Sequence, residues 1–451
     1  MNENVKQISK ARFDALTLSR HPMASIMGEE AEWYADYGEI VLGCILKDRT
    51  DQDWGYIVLG RDEKGLFRCI DVMMSFENIG AARSELFEKI QDRSRSGVKV
   101  FPQGDIRRKK NEILRSRVPQ DKLNPYFKSL FLEGHSPARE IIQEIAYAFV
   151  DLDGNFIEQF QTAGFNSRLW ELYLYAYLHE ELFVFERSHA VPDFQCIWID
   201  GTGPVFIEAV TVNPNPAFDI RKAPTSPTEV AALLKDYMPI KYGSALYSKL
   251  KKEYWKLDHV QGHPLVLAIH DFHMNDSMIW SSSAIHTYLY GVETKFIYDD
   301  KGNLIVIPVG IASHEFKNKT IPSGFFSLED AENVSAVLFS NSATISKFNR
   351  MGKLAGFGSP RVRMIRSGTC YGDDPNAIKP KTFSAEVDPA TYSESWGEGL
   401  SMYHNPNATR PIDPLLFPGI AHHSLKDGKL CSLLPEFFPY SSVTLILVPK
   451  T

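Results

Sequence analysis

A carboxylate stands in the middle of an apolar run, Pro204-Val-Phe-Ile-Glu-Ala-Val-Thr-Val212. The β-branched and aromatic residues around it, bounded by a turn, are those of a buried strand. A lone buried carboxylate is costly, so Glu208 requires partners brought to it by neighbouring elements. The preceding residues offer them. Asn166 to Leu178 reads as a helix with Asn166 as its cap and Leu169, Leu172, Tyr173, Ala176 and Tyr177 as its apolar stripe. Glu171 is the acid inside that helix. Leu182-Phe-Val-Phe-Glu186 reads as a short strand and Val191-Pro-Asp-Phe-Gln-Cys-Ile-Trp-Ile199 as the next. The turn Asp200-Gly-Thr-Gly203 then joins this strand, antiparallel, to the strand of Glu208. Counting outward from the turn sets Asp193 opposite Glu208.

Two facing carboxylates repel unless a cation sits between them. Hard oxygen ligands of this kind suit Mg²⁺ or Mn²⁺, with water and phosphate oxygens completing the octahedron. Such a metal neutralises charge on a phosphodiester and activates the attacking water. Asp193 and Glu208 are therefore expected to approach within about 4–6 Å, with Glu171 as a third metal ligand or water-positioning base. Downstream, Lys241 to Leu257 reads as a long amphipathic helix, and Pro264 to His270 and Val334 to Phe339 as buried strands.

A helix with Glu171, a strand, a strand opening on Pro192-Asp193, a strand with Glu208, a Lys-rich helix and a buried strand follow in that order. The order is similar to the αβββαβ core of the PD-(D/E)XK, restriction-endonuclease-like nucleases, and the resemblance covers about residues 150 to 345. It implies Mg²⁺- or Mn²⁺-dependent endonucleolytic hydrolysis of nucleic acid, with DNA as the implied substrate and defence or repair as the implied setting. The metal ligands would be Asp193, Glu208 and Glu171. One departure stands out: the family's motif lysine lies two residues after the strand acid, and that position here is Val210. A lysine of the following helix can replace it, Lys249 first and Lys241 second. Otherwise the chain is a catalytically inactive nuclease fold that binds nucleic acid or a protein partner.

The flanks set the domain expectation. At about 150 residues per domain, 451 residues suggest about three. Residues 1–120 read as an α+β module with strands at 38–47, 54–60 and 66–72 and a helix at 81–90 carrying Leu86, Phe87 and Ile90 on one face. Residues 121–345 hold the nuclease-like α/β core, with an insertion at about 271–333 that includes a hairpin around Asp299-Asp-Lys-Gly302. Residues 346–451 read as a loop-rich segment whose last strand, 442–448, folds back onto a sheet.

A formal net charge of −7 excludes a uniformly basic nucleic-acid binder, so phosphate contacts must be local. Two basic stretches are candidates. One runs from Arg93 to Arg117 and includes Arg107, Arg108, Lys109 and Lys110. The other, Lys347 to Arg366, surrounds the glycines of Gly352-Lys-Leu-Ala-Gly-Phe-Gly358. Five scattered cysteines suggest neither a disulfide framework nor a zinc site. With no apolar signal core and no membrane-length apolar run, a cytoplasmic protein is expected, with a homo-oligomer or a protein partner as further options.

Overall fold

The computed structural model describes residues 4–104, 110–372, 374 and 376–449. The chain is mixed α/β. Its helices, in order, are α1 (Lys10–Leu16), α2 (Met23–Met27), α3 (Ile79–Arg95), α4 (Pro125–Ser129), α5 (Ser136–Ala148), α6 (Phe156–Gln161), α7 (Phe165–Glu180), α8 (Pro227–Ala232), α9 (Met238–Leu250), α10 (Ala284–Tyr290) and α11 (Ile345–Leu354).

The N-terminal residues form a five-stranded antiparallel meander, β1 (Val5–Gln7), β2 (Gly28–Asp36), β3 (Val41–Asp48), β4 (Trp54–Arg61) and β5 (Phe67–Phe76). The three expected strands are β3 to β5. The two earlier ones escape the reading because β1 is short and β2 is rich in acids. Helix α3 lays Leu86 and Ile90 on this sheet. The opposite sheet face, with Leu42 and Cys44, joins the large core below it.

That core is built on an eight-stranded sheet. Its strands are β6 (Val184–Glu186), β7 (Phe194–Ile197), β8 (Val205–Val212), β9 (Leu265–Asp271), β14 (Ala336–Ser340), β17 (Ser401–His404), β18 (Ala421–Lys426) and β19 (Lys429–Leu433). Their spatial order is β19-β18-β17-β14-β9-β8-β7-β6. Strands β8, β9 and β14 run parallel. Parallel strands are buried on both faces, which is why these three segments are apolar nearly throughout. Residues alternate between the faces. Val205, Ile207, Val266, Ala268, Ala336 and Leu338 pack toward α5 and α7. Phe206, Val210, Leu267, Ile269, Val337 and Phe339 pack toward α9 and α10.

Two hairpins, β10–β11 (Val292–Tyr298, Leu304–Gly310) and β12–β13 (Ser313–Phe316, Lys319–Pro322), lie between β9 and β14 in the chain. The three-stranded sheet β16-β15-β20 gathers Lys381–Glu386, Arg363–Cys370 and Pro439–Leu447.

Several expectations shift. The helix of Glu171 begins at Phe165 with Gly164 as its cap residue, and the Asn166 amide instead donates to Asn213 Oδ1 at 3.1 Å. The strand expected over 191–199 is only Phe194–Ile197, because Trp198 N–H donates to Thr202 and closes the turn early. The helix expected to reach Leu257 ends at Leu250, where Lys251 and Lys252 enter a turn. Residues 271–333 are not a detached insertion: Trp280, Ile285, Leu289 and Phe325 belong to the core on the α9 face. The C-terminal segment supplies β17 to β19 to the main sheet, while its last strand pairs in the small sheet with β15.

Helices α5 and α11 cross closely at Gly352, where an added Cβ would lie 2.3 Å from the Pro137 carbonyl oxygen. Alanine favours a helix over glycine by about 1 kcal/mol, but backbone on backbone cannot yield. Gly352→Ala is therefore expected to destabilise by about 1–3 kcal/mol net, read as a lower urea midpoint with an unchanged slope.

Candidate active site

Strand β7 is short and β8 is longer, so beyond Asp193 the edge of β8 at 209–211 has no strand neighbour on that side among the described residues. Here a cleft of about 340 Å³ opens, lined by Ser167, Arg168 and Glu171 of α7, by Asp193, by Ala209 to Thr211, and by Ala245, Ser248 and Lys249 of α9. Helices from both faces of the sheet thus reach one notch. The register is that of the turn count: Phe194 pairs with Ile207, which sets Asp193 across from Glu208. Asp193 Oδ2 accepts the Ala209 N–H at 2.7 Å.

Glu208, 5% exposed, faces α9. Its Oε1 accepts Lys249 Nζ at 2.5 Å and the Tyr254 hydroxyl at 2.7 Å. These are the partners its burial demanded. Glu171, 7% exposed, accepts Arg168 Nη1 on both oxygens, at 2.9 and 2.8 Å. Arg168 is itself oriented by Gln159 Oε1 and Asn155 Oδ1. The Ser167 and Thr211 hydroxyls pair at 2.8 Å on the cleft wall.

Burial pushes the Asp193 carboxyl well above its ordinary range, and the negative charges of Glu208 and Glu171 push it further, against the Ala209 N–H and Lys249. Burial likewise raises Glu171, opposed by Arg168 and reinforced by Glu208 and Asp153. Asp193 and Glu171 thus both sense the charge of Glu208.

Glu171, Asp193, Glu208 and Lys249 are thus brought together, but the three-carboxylate cage is not closed. Among the described residues no three His, Cys, Asp or Glu side chains converge as a metal-holding group. Arg168 takes both oxygens of Glu171. Lys241 is elsewhere: buried, it donates to Asp219 Oδ1 at 2.7 Å and to the Asn213 carbonyl at 3.0 Å. Eight residues on an α-helix turn a side chain by about 80° from its starting direction, enough to separate the two lysines. Val210 is 3% exposed, on the face it shares with Glu208. Arg168 and Tyr254 escaped the sequence reading. Arg168 carried a local signal, its placement three residues before Glu171 on a helix. Tyr254 carried none, since it lies beyond the end of α9.

The two basic stretches fare differently. Lys347, Arg350 and Arg366 are 1%, 3% and 2% exposed and are paired with Glu394 and Glu398, so the expected phosphate cradle is an interior ion cluster. Arg361 and Arg363 pair with Glu133 and Glu386. Gly352 serves helix packing rather than anion approach. In the earlier stretch, Arg107, Arg108 and Lys109 lie outside the described residues. Arg93, Lys110 and Arg115 stand near Asp71 and Glu112 at 3.6–3.9 Å.

Arg168→Ala would leave the buried Glu171 without its counter-charge. Its carboxyl is then expected to rise further and to protonate at a higher pH than in the parent protein. A carboxyl-carbon NMR titration reads this directly; an unmoved Glu171 titration would make Arg168 merely a surface cap of the helix.

Comparison of the chain with known protein families, with curated proteins and with solved structures finds no match. Among the described residues no helix is long and apolar enough to cross a membrane.

Proposed function

We propose that the chain is a metal-dependent nuclease of PD-(D/E)XK type, hydrolysing nucleic-acid phosphodiester bonds, with DNA as the first substrate to test and defence or repair as its setting. The observation that carries the reading is that Asp193 and Lys249 line one cleft while the buried Glu208 lies across from Asp193 and bonds Lys249, with the lysine contributed by α9 rather than by the position of Val210. The element order α7-β6-β7-β8-α9-β9 supports the same reading.

Asp193 and Glu208 fit a divalent cation. Among the described residues, Asp193 Oδ1 and Glu208 Oε2 accept no hydrogen bond from the protein. Burial raises the Asp193 carboxyl first and the negative charges of Glu208 and Glu171 raise it further; a cation would relieve that second contribution. Mg²⁺ commonly takes one or two carboxylates and fills the rest of its shell with water and phosphate oxygens. When bound, Mg²⁺ or Mn²⁺ would neutralise charge on the scissile phosphate and acidify the attacking water. The chain's own residues do the rest. Lys249 supplies a cation at the cleft wall that can orient that water, Tyr254 fixes Glu208, and Arg168 holds Glu171 in place. A second reading, a binding protein on an inactive site, draws on the packed Val210 and on the engagement of Lys249 with Glu208.

The deciding experiment incubates the purified chain with single-stranded DNA, duplex DNA and RNA in Mg²⁺ or Mn²⁺. Cleavage is expected, suppressed by a chelator and lost in Asp193→Ala and in Glu208→Ala while both variants stay folded. Binding without cleavage of any substrate selects the second reading. Cleavage that survives Asp193→Ala places the active site elsewhere.

A further inference from the structure

Apart from the acid cleft, with which it has no lining residue in common, a second cavity of about 250 Å³ lies between the main sheet and the three-stranded sheet. Its walls include the rings of Tyr371, Tyr403, Phe438 and Tyr440. Its polar groups include the imidazoles of His286 and His423 and the hydroxyls of Ser283, Ser401 and Ser432. Among the described residues that line it there is no Asp, Glu, Lys or Arg. A charged ligand would find no counter-charge here, and charged groups are not buried without one.

His423 is part of the cavity wall. It is 5% exposed, stacks on Tyr403 at 4.5 Å between centroids, and bonds Ser432 Oγ through Nδ1 at 2.8 Å. Among the described residues its Nε2, buried, has no hydrogen-bond partner. A buried polar atom left unpaired costs free energy, and a ligand that pairs it recovers that cost. Ser432, as donor or acceptor, decides whether Nε2 offers a lone pair or a proton. Burial holds both imidazoles neutral, lowering His423 to about 3 and His286 to about 4.

We propose that this cavity binds an uncharged planar heteroaromatic ring with a hydrogen-bonding edge: a nucleobase, carried by a free nucleoside or by a nucleic-acid strand. Aromatic walls stack on any base, hydroxyls and imidazoles read its edge, and the volume lies just below the roughly 300–1,000 Å³ of drug-sized pockets, as suits one ring system. Metal ions are a poor match, because no third ligand joins the two imidazoles among the described residues. The cavity has Met278, Ser342 and Ser442 in common with a smaller one lined by hydroxyls, Asp276 and Arg350, which has Thr344 and Ser346 in common with a third that includes Asn166 on α7. The inference does not rest on the nuclease reading.

The test uses the whole chain without divalent cation, so that nothing is cleaved. The four ribonucleosides and a short single-stranded oligonucleotide are titrated by ligand-observed NMR and calorimetry. Two variants accompany the parent: His423→Phe, which keeps the stacked ring and removes Nε2, and Ser283→Phe, which fills the cavity from its half-buried wall. Losing a hydrogen bond to a buried group should weaken binding about tenfold or more in His423→Phe. Ser283→Phe should abolish it. Nucleoside binding with this sensitivity supports the free-ring source; oligonucleotide binding alone, equally sensitive, supports the strand source. Absence of binding by both kinds of probe, or binding unchanged in both folded variants, overturns the proposal. If the variants do not fold, ligand-induced shifts of the His423 and Tyr403 ring signals in the parent decide: moved signals support the proposal and unmoved ones overturn it.

Discussion

Glu394→Ala is expected to cost about 3–5 kcal/mol, the typical penalty for removing one partner of a buried ion pair, and so to consume much of the roughly 5–15 kcal/mol that holds a domain folded. Glu394 has no exposed side-chain surface and receives Lys347 Nζ at 2.6 Å together with Arg350 Nε at 2.7 Å and Nη2 at 2.8 Å. Arg366 stands 3.6 Å away and also bonds Glu398. These cations come from α11 and β15, so the carboxylate joins the helix packed on α5 to the small sheet. Removing it leaves three cations facing Glu398 alone, in an interior that cannot hydrate them. Glu394→Gln keeps the volume and one acceptor and should cost less. Burial alone would push the Glu394 carboxyl up, but Arg350, Lys347 and Arg366 hold it well below its ordinary value. Its contribution is therefore complete above the ordinary carboxylate range and is lost as pH falls from there toward the depressed folded-state value. Urea melts at neutral and acid pH check both parts: the parent should lose stability on acidification, and Glu394→Gln should lose less. Equal acid sensitivity in the two proteins would remove Glu394 from this role.

The same cluster shows why the basic stretch at 347–366 is misleading in the sequence. A run of Lys and Arg among glycines looks solvated when the acid that neutralises it is far along the chain. Glu394 lies in a Ser-rich loop with no pattern to mark it as interior. Lys241 fails for a related reason. Its partner Asp219 sits in the Pro- and Asn-rich stretch after β8, where nothing foretells a buried pair. Glu208 was legible because it violates its surroundings: an apolar strand cannot hold a carboxylate without help. Asp193 was legible because a hairpin's register follows from its turn. Strands β17 and β18 were not, since Ser401-Met-Tyr-His404 and Ala421-His-His-Ser-Leu-Lys426 carry neither alternation nor a continuous apolar run. They are strands because β14 offers an edge, a tertiary cause rather than a local one.

If the chain is the nuclease proposed above, Lys249→Ala is expected to cut its cleavage of nucleic acid by about 10²–10³-fold, the scale seen when one preorganised electrostatic group leaves an active site. The prediction turns on what the lysine does beyond neutralising Glu208. Tyr254 would still hold Glu208 Oε1, and the Asp193 and Glu208 oxygens proposed for the metal would be untouched. Metal affinity, read by calorimetry, should therefore stay near that of the parent while the single-turnover rate collapses. Val210→Lys in the Lys249→Ala background is the decisive addition. Val210 lines the cleft and shares its strand face with Glu208, so a lysine there can deliver an ammonium to the same space from the strand. Overpacking against the α9 face should cost it about 1–3 kcal/mol of stability, which the rate per folded molecule factors out. Recovery of at least a tenth of the parent rate is the expected result, because the attacking water responds to where the cation stands and not to which element bears it. Lys241→Ala serves as the contrast: it breaks the Asp219 pair, so stability should fall while the rate per folded molecule holds. An undiminished rate in Lys249→Ala would reduce that lysine to a counter-ion of Glu208. A Lys249→Ala loss that Val210→Lys fails to restore, in a double variant that still binds metal and folds, would tie the chemistry to α9 itself and count against an equivalence between this lysine and the strand lysine of the PD-(D/E)XK pattern.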